Sequence, residues 1–357
     1  MRRSWLGACL VVCSLGGPTV WPSVASGCGG WLESPTPGLS TQSQLLGISE
    51  ITPTDVWAVG LTNSPVPGAS LAEHFSGSSW SVVSPATAGF LWSVDGAAAN
   101  DVWAVGDIGS FEHWNGAAWS SVAIPLPKGG SEPVLRDVES VSATDVWAVG
   151  WYTANGTGKT LVEHWDGTSW TRIASPNQGR RISTQLWGVA VRSGSDVWVV
   201  GRYVKAGEYT FSAHWNGSSW STPAMPASPS TSETYLGNVV TVGTAGTWAV
   251  GSSGNAGALV ERYSAGAWHI VTAVADVDFL HGLLAFAPKN IYASGSKGGE
   301  PIVEHWDGTM WSAVPTPTVL PAANGLWSLD GASPTDIWGA GDQGGTPSPQ
   351  TLVEHYC

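Results

Sequence analysis

Asp145-Val146-Trp147-Ala148-Val149-Gly150, followed shortly by Glu163-His164-Trp165-Asp166-Gly167-Thr168-Ser169-Trp170, is the pair of motifs on which the chain is built. Close copies of the first motif stand at 55–60, 101–106, 196–201 and 336–341. Weaker copies stand at 246–251, containing Thr-Trp-Ala-Val-Gly, and at 290–295, containing Ile-Tyr-Ala-Ser-Gly. The seven copies are spaced 44 to 51 residues apart in a chain of 357. A fixed period of this length marks a repeat array, because one such unit cannot bury its own apolar faces and must stack on its neighbours.

Aligning the repeats resolves four short strands per unit. The first resembles Leu91-Trp92-Ser93-Val94, with counterparts at 45–48, 135–138, 186–189, 236–239, 280–283 and 326–329. The Asp-Val-Trp-Ala-Val-Gly strand comes second and a Leu-Val-Glu-His-Trp strand third. An Asp-Gly or Asn-Gly turn then leads to a fourth that begins with Trp. Asx-Gly between two β-rich runs is a hairpin signal, since both residues tolerate positive φ. The chain is only 11% charged but holds 46 Gly, 23 Pro and 23 Trp, which suits strands and turns. No long segment carries a helical period. These features predict an all-β, seven-bladed β-propeller with four antiparallel strands per blade.

The last unit stops at Glu354-His355-Tyr356-Cys357, before its fourth strand, while Cys28-Gly29-Gly30-Trp31 reads as the missing tail. The N-terminal strand, from about 28–34, is therefore expected to complete the last blade, with blades one to seven spanning about 43–357. Cys28 and Cys357 then fall in one tight turn and are expected to form a disulfide.

Residues 1–25 read as a signal peptide: Arg2 and Arg3, an apolar stretch over 5–20, and a small-residue site at Ser23-Val24-Ala25. The propeller is assigned to 26–357. Cleavage removes Cys9, Cys13 and two positive charges, moving the formal charge from −13 to −15. A secreted, extracellular protein in an oxidising compartment is expected. An alternative is lipid anchoring at the cell surface through Cys28, since Ala25-Ser26-Gly27-Cys28 loosely matches a lipoprotein box. The acidic balance argues against nucleic acid, and no later segment is apolar for long enough to span a membrane. A monomer is expected.

The repeats resemble those of kelch and galactose-oxidase-type seven-bladed propellers, and those of exported bacterial proteins with the same pair of motifs. The likeness covers essentially all of 28–357 and implies a shape rather than an activity. In the sialidase Asp-box one residue separates Asp from Gly, whereas Asp166 and Gly167 are adjacent, so sialidase chemistry is not carried over.

Most tryptophans fall on repeat positions. Trp31, Trp80, Trp119, Trp170, Trp220, Trp268 and Trp311 begin fourth strands, Trp57, Trp103, Trp147, Trp198, Trp248 and Trp338 occupy second strands, and Trp92, Trp187 and Trp327 occupy first strands. All are expected to pack blade against blade. The Glu-His pairs, as at Glu163-His164, point to opposite faces of a strand and cannot converge on one ion. Each His is expected to bond the Asp that opens the neighbouring strand, as His164 with Asp145. The fifth blade lacks both partners, having Gly246 and Arg262 in their places. No metal site and no cofactor are expected.

The connections between blades, and those between second and third strands, vary in length and emerge on one face. Binding is expected there, at the central mouth. Arg136 and Asp137 break the Leu-Trp-Ser-Val pattern of the first strand and put charge beside the axis. Trp151, Tyr152 and Tyr203 are aromatics on the same face, close to Arg202, Arg180 and Arg181. Tyr235 and His281 complete the candidate set. The leading function is non-catalytic recognition of an extracellular carbohydrate or protein. A glycan-active hydrolase or lyase is the alternative, with Asp137, Glu233, Asp276 and Asp278 as carboxylate candidates. Asp276-Val277-Asp278 is one short acidic pair, which is weak evidence for calcium. A structural or assembly scaffold is the third reading.

Overall fold

The computed structural model describes residues 29–357 apart from 38, 40, 41, 64–67, 108, 231, 244, 245, 274, 318–324 and 345–348. The expected signal peptide and Cys28 lie outside the described residues. Within them the strands form seven four-stranded antiparallel sheets, and the one helical element is a 3-10 turn at Gly254–Ala256. No helix among the described residues is long and apolar enough to cross a membrane.

The third blade shows how the motif becomes a sheet. It contains β10 (Gly130–Ser142), β11 (Asp145–Ala154), β12 (Thr157–Trp165) and β13 (Trp170–Arg172), paired in that order. Residues 146–149 of β11 are fully buried, because a neighbouring blade covers each face of the sheet. A strand buried on both faces reads as a continuous apolar run. The turn to β13 needs Gly167 at φ +92°, while Asp166 accepts the amides of Thr168 and Ser169.

Ring closure follows the repeat. β1 (Trp31–Glu33) is the outer strand of the sheet that also holds β26 (Gly325–Ser333), β27 (Asp336–Gln343) and β28 (Gln350–Tyr356). Trp31 faces Tyr356, as Trp170 faces Trp165 in the third blade. The aromatic contacts between blades repeat in the same way. Trp57 meets Trp119 edge-on at 5.1 Å, Trp103 meets Trp170 at 5.1 Å, and Trp338 of the last blade meets Trp80 of the first at 5.8 Å. Burying each such ring removes on the order of 150–250 Å² from water.

The third strands separate Glu from His as the alternation requires. His74, His113, His164, His214 and His355 bond the Asp opening the second strand at 2.6–2.9 Å, and His305 bonds Asn290 at 2.7 Å. In the fifth blade, Arg262 lies 5.1 Å from the Trp248 ring centre, on the ring that His stacks against elsewhere. The glutamates turn the other way: Glu73, Glu163, Glu304 and Glu354 are completely buried.

Candidate ligand-binding mouth

All seven innermost strands carry a β-bulge at the same position. In the third blade the pairing jumps from Leu135 with Gly150 to Asp137 with Val149, which leaves Arg136 unpaired. The same jump frees Leu46, Trp92, Trp187, Gly237, His281 and Trp327 in the other blades. A bulge turns its extra residue away from strict alternation. Here all seven line one cavity of about 430 Å³, so the cavity lies on the propeller axis.

The position of Trp92, Trp187 and Trp327 corrects the expectation that every repeated tryptophan packs blade against blade. These three form an aromatic collar around the mouth. A strict period of two cannot show this, because the bulge shifts the register within the strand. The available signal was the glycine that ends every second-strand motif, since it marks a close backbone approach.

The collar is internally ordered. The Arg136 guanidinium carbon lies 3.6 Å from the Trp92 ring centre and 4.6 Å from that of Trp187. Trp187 packs on Tyr235 at 4.5 Å, and Tyr235 Oη is 2.9 Å from His281 Nε2. His281 meets Trp327 edge-on, and Trp327 stacks on Phe279. At the fifth bulge a side chain on Gly237 would press on His281 and Tyr235, so these two take the space the glycine leaves.

Burial sets the charges. It lowers Arg136 to about 10, leaving it cationic at neutral pH, and it lowers His281 to about 3, with Arg136 adding to the effect. Burial raises Asp137 to about 6 although its carboxylate accepts bonds from Ser93 Oγ and the amides of Val138 and Val189.

Below the mouth a second chamber of about 320 Å³ shares Ser93, Asp137, Asn238 and Ser328 with it. Its carboxylates join one blade to the next. Asp95 accepts the Ser140 amide, Glu139 that of Val191, and Asp330 that of Glu50. These amides lie on the free edges of the innermost strands, and the carboxylates satisfy them. Among the described residues no group of three or more His, Cys, Asp or Glu side chains is arranged to hold a metal ion.

Of the sequence candidates, the mouth brings together Arg136, Asp137, Tyr235 and His281. Arg202 lies 5.2 Å from the Trp187 ring and pairs with Glu208 at 2.7 Å. With Glu233, Tyr235 and Asp278 it lines an adjoining cavity of about 560 Å³. Tyr203 stacks on Tyr209 in a separate groove, Tyr152 packs among the apolar side chains between blades two and three, and Trp151 lies outside the mouth. Arg180 and Arg181 are exposed on a loop whose carbonyls Lys159 holds. Asp276 has a positive φ and Asp278 caps the Gly298 amide.

Fold and mouth define a seven-bladed β-propeller with a collared axial cavity. Solved structures similar to this chain include YCF48 bound to D1 peptide, with a TM-score of 0.60 and 15% identity over 93% of this chain and 98% of that one. YCF48 from Cyanidioschyzon merolae has a TM-score of 0.59 and 16% identity, covering 92% of this chain and 98% of its own. The WD40 propeller domain of Doa1 has the same score, identity and coverage. The likeness is thus to YCF48 and WD40 propellers, not specifically to the kelch or galactose-oxidase type. No protein-family model and no curated protein matches the sequence.

Proposed function

We propose that this is an exported, non-catalytic binding protein whose axial mouth receives an extracellular carbohydrate. The observation that carries the reading is the set of seven bulges, which delivers one residue from every blade into a single cavity. A structural ring would be served as well by seven identical small residues. This one instead has three tryptophans, an arginine, a histidine and a neighbouring tyrosine, a mixture of flat apolar faces and directed polar groups suited to a small ligand. Export rests on the residue 1–25 signal, and the kelch-like resemblance rests on the repeat motifs alone. The enzymatic alternative has less support. Asp137 is the one carboxylate candidate that lines the mouth, and both its oxygens are engaged by Ser93, Val138 and Val189.

The test is binding of the mature protein to a broad glycan array, with and without calcium, beside Trp187→Ala and His281→Ala variants. Glycan binding that both variants weaken supports the proposal. Binding that neither changes places the ligand elsewhere and overturns it. A blank array, with an extracellular protein captured by the wild type alone, replaces carbohydrate with a protein ligand.

A further inference from the structure

Among the described residues no hydrogen bond or ion pair engages the Arg136 guanidinium, and its contacts are the faces of Trp92 and Trp187. Of the nearby carboxylates, Asp137 accepts bonds at both oxygens, and Asp107 accepts the Trp92 indole N–H at 2.7 Å through one oxygen. Arg136 thus keeps all its N–H donors beside a cavity whose walls have removed much of its water. Asp107 and Asp137 act on it only through space, and a desolvated guanidinium whose donors are unfilled gains from an anion that fills them.

Resting on the mouth as the binding site, we infer that it is built for an acidic sugar, a hexuronate residue whose carboxylate docks edge-on against Arg136. The guanidinium carbon sits over two tryptophan rings, whose π-faces take none of its strong N–H hydrogen bonds. Its in-plane N–H fork remains, and that fork matches a carboxylate with two parallel hydrogen bonds. The tryptophans also fix the side chain in advance, which lowers the entropy lost on binding. Across the cavity, Tyr235 and His281 form a hydrogen-bonded pair, and neutral His281 does not compete for the anion. Such a pair suits ring hydroxyls.

Two features favour a sugar over a peptide. A cavity of about 430 Å³ that is ringed by all seven blades is a socket for one or two rings rather than a groove for a chain. The inner-strand amides of Glu50, Ser140, Val189 and Val191 are already bonded by carboxylates of adjacent blades, so these edges cannot add a peptide strand.

The experiment is calorimetric titration of the mature, signal-free protein with methyl glucuronoside and methyl galacturonoside, their uncharged methyl esters, and sodium sulfate. The expected result is that at least one acid binds and its ester binds tenfold or more weakly. Arg136→Gln should match that loss and Arg136→Lys should recover only part of it. If Arg136→Gln fails to fold, the acid-to-ester ratio on the wild type decides. Esters binding as tightly as acids would overturn the carboxylate claim while leaving a sugar-binding mouth intact. Sulfate binding with neither acid bound would also overturn it, in favour of an inorganic anion. Sugar binding that Arg136→Gln, Trp187→Ala and His281→Ala all leave unchanged would overturn both the inference and the site on which it rests.

Discussion

Gly150 lies directly against the carbonyl oxygen of Val134, and a Cβ at position 150 would overlap that oxygen. The contact lies immediately before the bulge that frees Arg136. Every second-strand glycine stands in the same relation to the strand inside it: Gly60 to Gln44, Gly106 to Phe90, Gly201 to Gln185, Gly251 to Tyr235, Gly295 to Phe279 and Gly341 to Gly325. The last letter of the repeat motif is therefore the condition for the bulge, and the bulge is the condition for the mouth.

Gly150→Ala should destabilise the fold by about 2–4 kcal/mol, because the added methyl meets backbone that cannot yield. Gly30→Ala is the control, since a Cβ there meets nothing within 4 Å. Chemical unfolding of the two variants beside wild type measures the difference. Equal midpoints for all three would mean the bulge is not as described.

The fold was legible because propeller blades repeat, and seven imperfect copies average out local ambiguity. The incomplete last blade and the stray Trp31 even indicated ring closure. The mouth was legible only where a blade departs from its siblings, as Arg136 does. Trp92, Trp187 and Trp327 were hidden by their own regularity, since a repeated aromatic reads as packing until the bulge shows where it points. Trp151 and Tyr203 lie on the variable face by sequence, but that ordering cannot show how far each stands from the axis.

The His164 and Asp145 side chains are each about a quarter exposed, and their bond of 2.9 Å should contribute about 1 kcal/mol. Asp145 also accepts the Trp147 indole N–H at 2.8 Å. Asp145→Ala orphans that buried donor, whereas His164→Ala leaves it bonded. Asp145→Ala should therefore cost about 1–3 kcal/mol, clearly more than His164→Ala. A double-mutant cycle by thermal unfolding checks the order, and equal losses would remove Trp147 from the account.

Glu73, Glu163, Glu261 and Glu354 are buried, and burial pushes each carboxyl up from 4.5 to about 8. The folded chain then holds these protons more tightly than the unfolded chain. Their contribution to stability is full below about 4.5 and is lost as the pH rises through about 8. The melting temperature should accordingly be higher near pH 5 than near pH 8.5. Glu163→Gln should sit close to wild type at the lower pH and above it at the higher one. A wild-type melting temperature that is flat or rising over this range would contradict the assignment.

The closing strand β1 is only three residues long, and its pairing with β28 joins the two ends of the ring. So short an edge strand brings few hydrogen bonds, and we propose that a disulfide between Cys28, outside the described residues, and Cys357, immediately after β28, secures it. In the chain-entropy model a bond closing so long a loop is worth on the order of 6 kcal/mol. Cys28→Ser should then lower the melting temperature of non-reduced protein to that of reduced wild type, and reductant should not lower the variant further. An unchanged melting temperature in the non-reduced variant would show that Trp31 packing and strand pairing hold the ring without the bridge.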